Sequence, residues 1–313
     1  MNFWTDRKVL LTGGEGFLGS YVKEKLEEKG CQVWVPSHKY YDLTQQNTVI
    51  GIFDKYPRFN LVIHLAAEVG GIGYNKKNPG SLLYRNLIMN SLVLHYAMMS
   101  GVSKFVSIGS ICAYPKHTPV PFKEEDLFNG YPEETNAPYG IAKRALLVQG
   151  QAYRKQYGFN SIYLMPVNMY GPGDNFDPKS SHVIPALIKK FIEARESGAP
   201  EVEVWGTGKA TREFLYVEDC ARGIILATED YNEEEPINIG IGSEVSIESL
   251  VTEIAMQTKY TGEIKWDNTE PDGQPRRCLD VSQAWLKFGF VAGVSLREGL
   301  ERTIKWYEEN RTS

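Results

Sequence analysis

Apolar residues in the first half of the chain come as short runs separated by amphipathic stretches. Lys8 to Thr12 is one such run, and it stops at Gly13-Gly14. Phe17 to Lys29 reads as a helix, and Gly30 predicts its end. Gln32 to Val35 predicts a second strand, closed by Pro36, and Asn60 to Leu65 (NLVIHL) a third. A long helix is expected from Pro79 to about Gly101, then a strand over Lys104 to Gly109 (KFVSIG). A helix from about Tyr139 to Tyr157 leads to another strand, Ser161 to Pro166 (SIYLMP). The recurring unit is strand then helix, roughly every 30 residues. Strands apolar on both faces, alternating with helices, predict an α/β fold built on a Rossmann-type doubly wound parallel sheet.

After about residue 170 the texture changes. Gly, Pro and Asn punctuate more often, as in GPGDNFDPKSSH and NTEPDGQPRR, and short strands such as Glu201–Trp205 mix with helices such as Ile184–Glu196. This predicts a smaller C-terminal α/β region over the strand ends where open α/β sheets hold ligands. Residues 1–170 are expected to form the dinucleotide-binding domain, joined by a later segment at roughly 210–240. Residues 171–313 are expected to be mainly substrate-binding.

Composition narrows the class. Lys plus Arg is 34 and Asp plus Glu 39, so the formal charge is 34 − 39 = −5. The 42% hydrophobic content argues against disorder, and the acidic excess against a nucleic-acid partner. No run approaches the ~20 apolar residues of a membrane span, and no export signal is read at the N-terminus. Cys31, Cys112, Cys220 and Cys278 lie far apart without metal-type spacing. A cytoplasmic protein with reduced thiols and no metal is expected. The acidic average is assigned to surface helices such as Glu24–Lys29 and Glu229–Glu235. That leaves Lys39, Lys143, Lys190 and Arg212 to meet phosphate-bearing ligands.

Two constellations carry chemistry. Gly13-Gly14-Glu15-Gly16-Phe17-Leu18-Gly19 follows the first strand and opens the first helix. Gly13 permits a tight turn, Gly16 a close approach to a pyrophosphate, and Gly19 close helix–strand packing. After the second strand, Ser37-His38-Lys39 offers no carboxylate and one firm positive charge, which favours NADP over NAD. Glu15 points the other way if it faces the adenosine ribose. Asp42-Leu43 is read either as an adenine contact or as a helix start. The second constellation is Tyr139 and Lys143, at i and i+4 on one helical face, with Ser110 just past the fourth strand. A cation beside the phenol is expected to lower its pKa, and Ser110 to add a hydrogen bond to a carbonyl oxygen.

With these motifs the sequence resembles the extended short-chain dehydrogenase/reductase superfamily and, within it, the GDP-L-fucose synthase family. The carriers are HLAAEVGGI (64–72), GSICAYP (109–115), PYGIAK (138–143), PVNMYGPGDNFDP (166–178), SSHVIPALIKKF (180–191), TREFLYVED (211–219) and PDGQPRR (271–277). The resemblance implies that Cys112 and His182 are the epimerising base and acid. It implies a cofactor bordered by Phe17, Leu18, Leu65, Ala66, Ala67, Asn86, Ile108, Pro166, Asn168 and Met169. It also implies a GDP-sugar held by Lys190, Trp205, Arg212 and Asp272, with Arg276 and Arg277 near its diphosphate. The family often has Arg at the position of Lys190 and Lys at that of Glu68. Ile111-Cys112 replaces the acidic pair of the related 4,6-dehydratases. The implied reaction is NADPH-dependent 3,5-epimerisation and 4-reduction of GDP-4-keto-6-deoxy-mannose. The alternative is a relative acting on another GDP-hexose or GDP-heptose and performing part of this chemistry with NAD. A non-catalytic sensor is disfavoured by the intact Ser110, Tyr139 and Lys143. A homodimer is expected through the two long helices, with Ala142 and Leu146–Leu147 at its interface.

Overall fold

The apolar runs of the first half, joined by one later strand, build a six-stranded sheet. The structure, a computed structural model, describes residues 3–55, 58–178, 180–269 and 273–311. The strands β1 (Lys8–Thr12), β2 (Gln32–Trp34), β3 (Leu61–His64), β4 (Lys104–Ile108) and β5 (Ser161–Pro166) alternate with helices. These are α1 (Phe17–Glu28), α2 (Gln46–Lys55), α3 (Ile72–Lys77), α4 (Pro79–Met99) and α5 (Ala137–Tyr157). Then come β6 (Asn168–Tyr170), α6 (Val183–Ser197), β7 (Glu201–Trp205), β8 (Thr211–Arg212), β9 (Phe214–Tyr216), α7 (Val217–Asp230) and β10 (Pro236–Ile239). The chain ends with β11 (Val245–Ser246), α8 (Ile247–Gln257), β12 (Glu263–Asp267), β13 (Arg276–Arg277), α9 (Ser282–Phe288) and α10 (Leu296–Asn310).

The sheet order is β10-β5-β4-β3-β1-β2, all parallel. Every residue of β3, β4 and β5 is buried, as strands covered on both faces require. Right-handed crossovers put α1 on one face, where it packs on α7, and α2, α4 and α5 on the other. A second core gathers Ile188, Phe191, Val202, Val204, Leu250, Ile254, Leu300 and Ile304 from α6, β7, α8 and α10.

Several expectations are corrected. Residues 231–235 are not helical, because α7 ends at Asp230. Ala142, Leu146 and Leu147 are 0%, 1% and 3% exposed. They already pack inside the chain and have no surface left for a second copy. The exposed large apolar residues of the two long helices are instead Tyr84, Met99, Val148 and Tyr157.

Lys104 opens β4 yet is buried. Its ammonium donates to the carbonyls of Ala227, Thr228 and Tyr231 at 3.3, 2.5 and 2.5 Å, closing the C-terminal end of α7. A cation there meets both the last carbonyls and the negative end of the helix. Lys104→Met keeps the bulk and strands these acceptors. It is expected to lower unfolding free energy by about 2–4 kcal/mol in urea titrations.

Candidate active site

The sheet reverses its direction of growth between β1 and β3, where such sheets bind ligands. Here the two loops touch. Gly13 has φ +71°, and a Cβ on it would stand 2.7 Å from the Ala66 nitrogen. A Cβ on Gly19 would stand 2.0 Å from the Gly13 carbonyl oxygen. Gly16 caps α1, whose first turn holds no acidic residue, so free N–H groups and the helix dipole face the crevice. This cradle fits a dinucleotide pyrophosphate. Phe17 and Leu18 begin α1, while Leu65, Ala66 and Ala67 form the opposite lip, all partly buried.

Toward the adenosine end, Glu15 does turn to the loop after β2, with its carboxylate 3.4 Å from His38 Nδ1. His38 and Lys39 are exposed and Ser37 partly so. Asp42 accepts from the Thr44 hydroxyl and amide at 2.7 and 3.0 Å, which holds its carboxyl below the usual range. It therefore shapes the turn before α2, and Leu43 is buried behind it. Asn86 was expected at the cofactor. Its side chain is instead spent on the backbone N–H and C=O of Glu68 and the carbonyl of Leu82. It supports the β3 loop rather than facing a ligand. Glu68 pairs with Arg85 at 2.6 Å, so the acidic departure from the family has its own cation.

The residues expected to be catalytic are brought together along one seam between α5 and the turn after β4. Ser110 caps the 3-10 turn Ile111–Ala113, its hydroxyl accepting from the Cys112 amide at 3.2 Å. Gly140 lies so close that a Cβ would be 2.7 Å from the Cys112 carbonyl oxygen. Lys143, fully buried, donates to the Ile108 carbonyl at 2.7 Å and sits 5.6 Å from the Tyr139 ring centroid. Burial lowers the Lys143 pKa to about 8. It raises that of Tyr139, to which Cys112 adds. The expected depression of the phenol is therefore not found in this geometry. Desolvation outweighs the attraction of the ammonium, and Tyr139 holds its proton.

His182 is the N-cap of α6 but makes no side-chain cap bond. Its ring is open to solvent, yet enough protein surrounds it to lower its pKa below the usual range. Just before it, the Ser180 carbonyl accepts from the Gly71 amide at 3.1 Å. Asn75, on α3, then donates to Asn136 at 3.2 Å, at the start of α5. The His182 segment is thus tied to the loop after β3 and, through α3, to the helix carrying Tyr139. Pro166 is buried, Asn168 donates to the Glu213 carbonyl at 3.2 Å, and Met169 packs on the main core.

Facing these are the residues expected to hold a nucleotide sugar. Lys190 donates to the Glu203 carbonyl on β7, and Trp205, two residues on and on the same strand face, is 67% exposed. Arg212 donates to the carbonyls of Thr211 and Gln274 at 2.8 and 2.6 Å. Asp272 lies outside the described residues. Arg276 is ion-paired with Glu244. Arg277 turns the other way, with one guanidinium nitrogen 3.5 Å from Cys112 Sγ. That contact spans 165 residues, and no local spacing announces it. Glu213 also escaped the sequence reading. Its buried carboxylate accepts from the amides of Ile241, Gly242 and Leu279 at 2.6, 2.8 and 2.7 Å, and so fixes the loop that carries Arg277.

Gly19→Ala would drive a methyl into rigid backbone. Dinucleotide affinity is expected to fall more than about tenfold by calorimetry, with earlier thermal unfolding.

Residues 9–240 match the model of the NAD dependent epimerase/dehydratase family. A probable GDP-L-fucose synthase of Oryza sativa subsp. japonica is 42% identical over 306 residues, covering 97% of this chain and 92% of that protein. A GDP-6-OMe-4-keto-L-xylo-heptose reductase from C. jejuni superposes with TM-score 0.92 at 27% identity, over 98% of this chain and 99% of that one. A GDP-L-fucose synthetase from Naegleria fowleri bound to NADP gives TM-score 0.87 at 30% identity, over 97% and 95%. A chain with this glycine cradle, this Ser-Tyr-Lys seam and these relatives belongs to the NAD-dependent epimerase/dehydratase family, and within it to the GDP-L-fucose synthases.

Proposed function

We propose that this enzyme converts GDP-4-keto-6-deoxy-mannose to GDP-L-fucose by epimerisation at C3 and C5 and reduction at C4. The observation that carries this reading is a thiol, Cys112, built into the same turn as Ser110 and against the helix of Tyr139. A ketone at C4 acidifies the protons on C3 and C5. Cys112 removes such a proton, and His182 returns one to the opposite face. Ser110 and Tyr139 hydrogen-bond the oxygen on which the enolate charge develops.

The Gly13–Gly19 turn and Lys39 would hold NADPH, which when bound would supply the hydride for C4. Tyr139, protonated in this site, gives its proton to O4, because the alkoxide left by hydride transfer is the stronger base. Lys143 anchors the site as a buried cation. Lys190, Trp205 and Arg212 hold the GDP moiety. Residues 1–170 with about 210–240 serve the dinucleotide, and 171–313 mainly the sugar nucleotide. We place the enzyme in the cytoplasm as a homodimer, joined through the outer faces of α4 and α5, where Tyr84 and Val148 are exposed. Among the described residues no helix is long and apolar enough to cross a membrane.

The heptose reductase likeness favours a second reading, reduction of a GDP-keto-heptose without full epimerisation. Incubation with GDP-4-keto-6-deoxy-mannose and NADPH in D2O separates the two. GDP-fucose carrying deuterium at C3 and C5 supports the first reading, and no NADPH oxidation by folded enzyme refutes it.

Tyr139→Phe is expected to lower reduction by about 100- to 10,000-fold while NADPH still binds in a fluorescence titration. Unchanged turnover would remove the proton-donor role. Above about pH 8 the reduction rate is expected to decline as Lys143 loses its charge, and a flat profile to pH 10 contradicts that role. Cys112→Ser should slow deuterium entry at C3 and C5 more than it slows hydride transfer, by single-turnover NMR.

A further inference from the structure

Arg277 is a half-buried cation that forms no ion pair among the described residues, and its contact is the Cys112 sulfur at 3.5 Å. Its Nε is buried and, among the described residues, without a hydrogen-bond partner. Its neighbour Arg276 is neutralised by Glu244, so the two arginines of β13 are divided between two tasks.

The placement is built rather than incidental. The backbone of β13 runs parallel to β8, with Arg277 in register with Arg212. Just beyond it, the Cys278 carbonyl accepts from the Phe122 amide at 2.8 Å and the Asp280 amide donates to the Phe122 carbonyl at 2.9 Å. The Leu279 amide is held by buried Glu213 at 2.7 Å. On the other side, Cys112 is fixed by the Ser110 cap and by α5 packing at Gly140. Guanidinium and sulfur thus meet between two separately anchored segments. Of the free cysteines, Cys112 alone is not fully buried.

A guanidinium N–H directed at a sulfur gives it a hydrogen-bond donor and a counter-charge in one fixed direction. We propose that Arg277 is a positioning residue for epimerisation: it holds the Cys112 sulfur in place and carries the counter-charge for the thiolate that acts as base. The inference rests on the reading of Cys112 as that base. In the step it serves, the C–H bond breaks, its proton forms an S–H bond, and the electron pair moves to the carbonyl oxygen. His182 then donates a proton to the opposite face, and both groups return to their starting protonation by exchange with water. Arg277 stays protonated throughout. Its planar fork makes Lys an incomplete substitute, with the charge kept and the geometry altered.

The test is alkylation of the free enzyme by iodoacetamide at neutral pH, with Cys112 followed by peptide mass spectrometry, alongside deuterium exchange of the ketosugar. In Arg277→Gln both rates should fall about tenfold or more, with NADPH binding retained as proof of folding. Arg277→Lys should recover part of each rate, and guanidinium ion added to Arg277→Ala should restore part of the alkylation. A purely structural arginine predicts the opposite, because loosening the site exposes the sulfur. Alkylation in Arg277→Gln at or above the wild-type rate therefore overturns the proposal. Cys112→Ser separates the two levels. If that variant exchanges at the wild-type rate, the base assignment fails and takes the role of Arg277 with it. If it is slow while Arg277→Gln matches wild type, the role of Arg277 fails alone.

Discussion

The site depends on how closely α5 can lie on the turn that follows β4. Gly140 provides the clearance, since any Cβ there would strike the Cys112 backbone. Two bonds then lock the contact, and a third ties α5 to β5. Lys143 reaches the Ile108 carbonyl, Arg144 the Ala113 carbonyl at 2.7 Å, and the Tyr163 hydroxyl the Lys143 carbonyl at 2.8 Å. Ser110, Cys112, Tyr139 and Lys143 lie on the two sides of this seam. Their mutual positions follow from backbone packing rather than from side chains finding one another. Such an arrangement suits a reaction in which a misplacement of about 1 Å costs orders of magnitude in rate.

The remaining groups arrive from a different core. Lys190 and Trp205 belong to elements that pack around Phe191 and Leu250, and Arg212 and Arg277 to the short strands beside them. Glu213 joins these parts. It accepts three backbone amides and, among the described residues, forms no ion pair. Burial still raises its pKa despite those bonds. A carboxylate kept in such a place must hold structure that apolar side chains could not, namely the irregular backbone at residues 241–242 and 279.

Legibility in the sequence followed the range of the interactions. The apolar runs of β1, β3, β4 and β5 located the sheet to within a residue or so, because burial on both faces leaves an uninterrupted signal. The glycine turn and the Tyr139–Lys143 pair were visible because their partners lie within one helical turn. The two-residue strands β8, β11 and β13 carried no periodic signal, since their pairing is set by tertiary packing. Arg276 and Arg277 are adjacent in sequence and chemically identical. Only the positions of Glu244 and Cys112, far away along the chain, separate their roles. The assignment of Ala142 and Leu146–Leu147 to an interface failed for a related reason. An apolar helix face is the same string whether it meets its own chain or another.

The electrostatics of Tyr139 show why a motif specifies residues more surely than it specifies their ionisation. Proximity of Lys143 argued for an easily ionised phenol. In the folded chain the ammonium is directed at a backbone carbonyl, and the phenol sits where both charged forms are poorly solvated. Burial then acts in opposite senses on the two groups, lowering the lysine toward neutrality and raising the tyrosine away from it. For a ketone reduction this polarity is useful, because the alcohol product requires a proton at O4 and a protonated tyrosine holds one. For proton abstraction from carbon the same tyrosine is the wrong group, being a weak base without charge. In the proposed reaction the work of a base therefore falls to a second residue in the seam. Cys112 stands there, beside the arginine of β13 that forms no ion pair among the described residues.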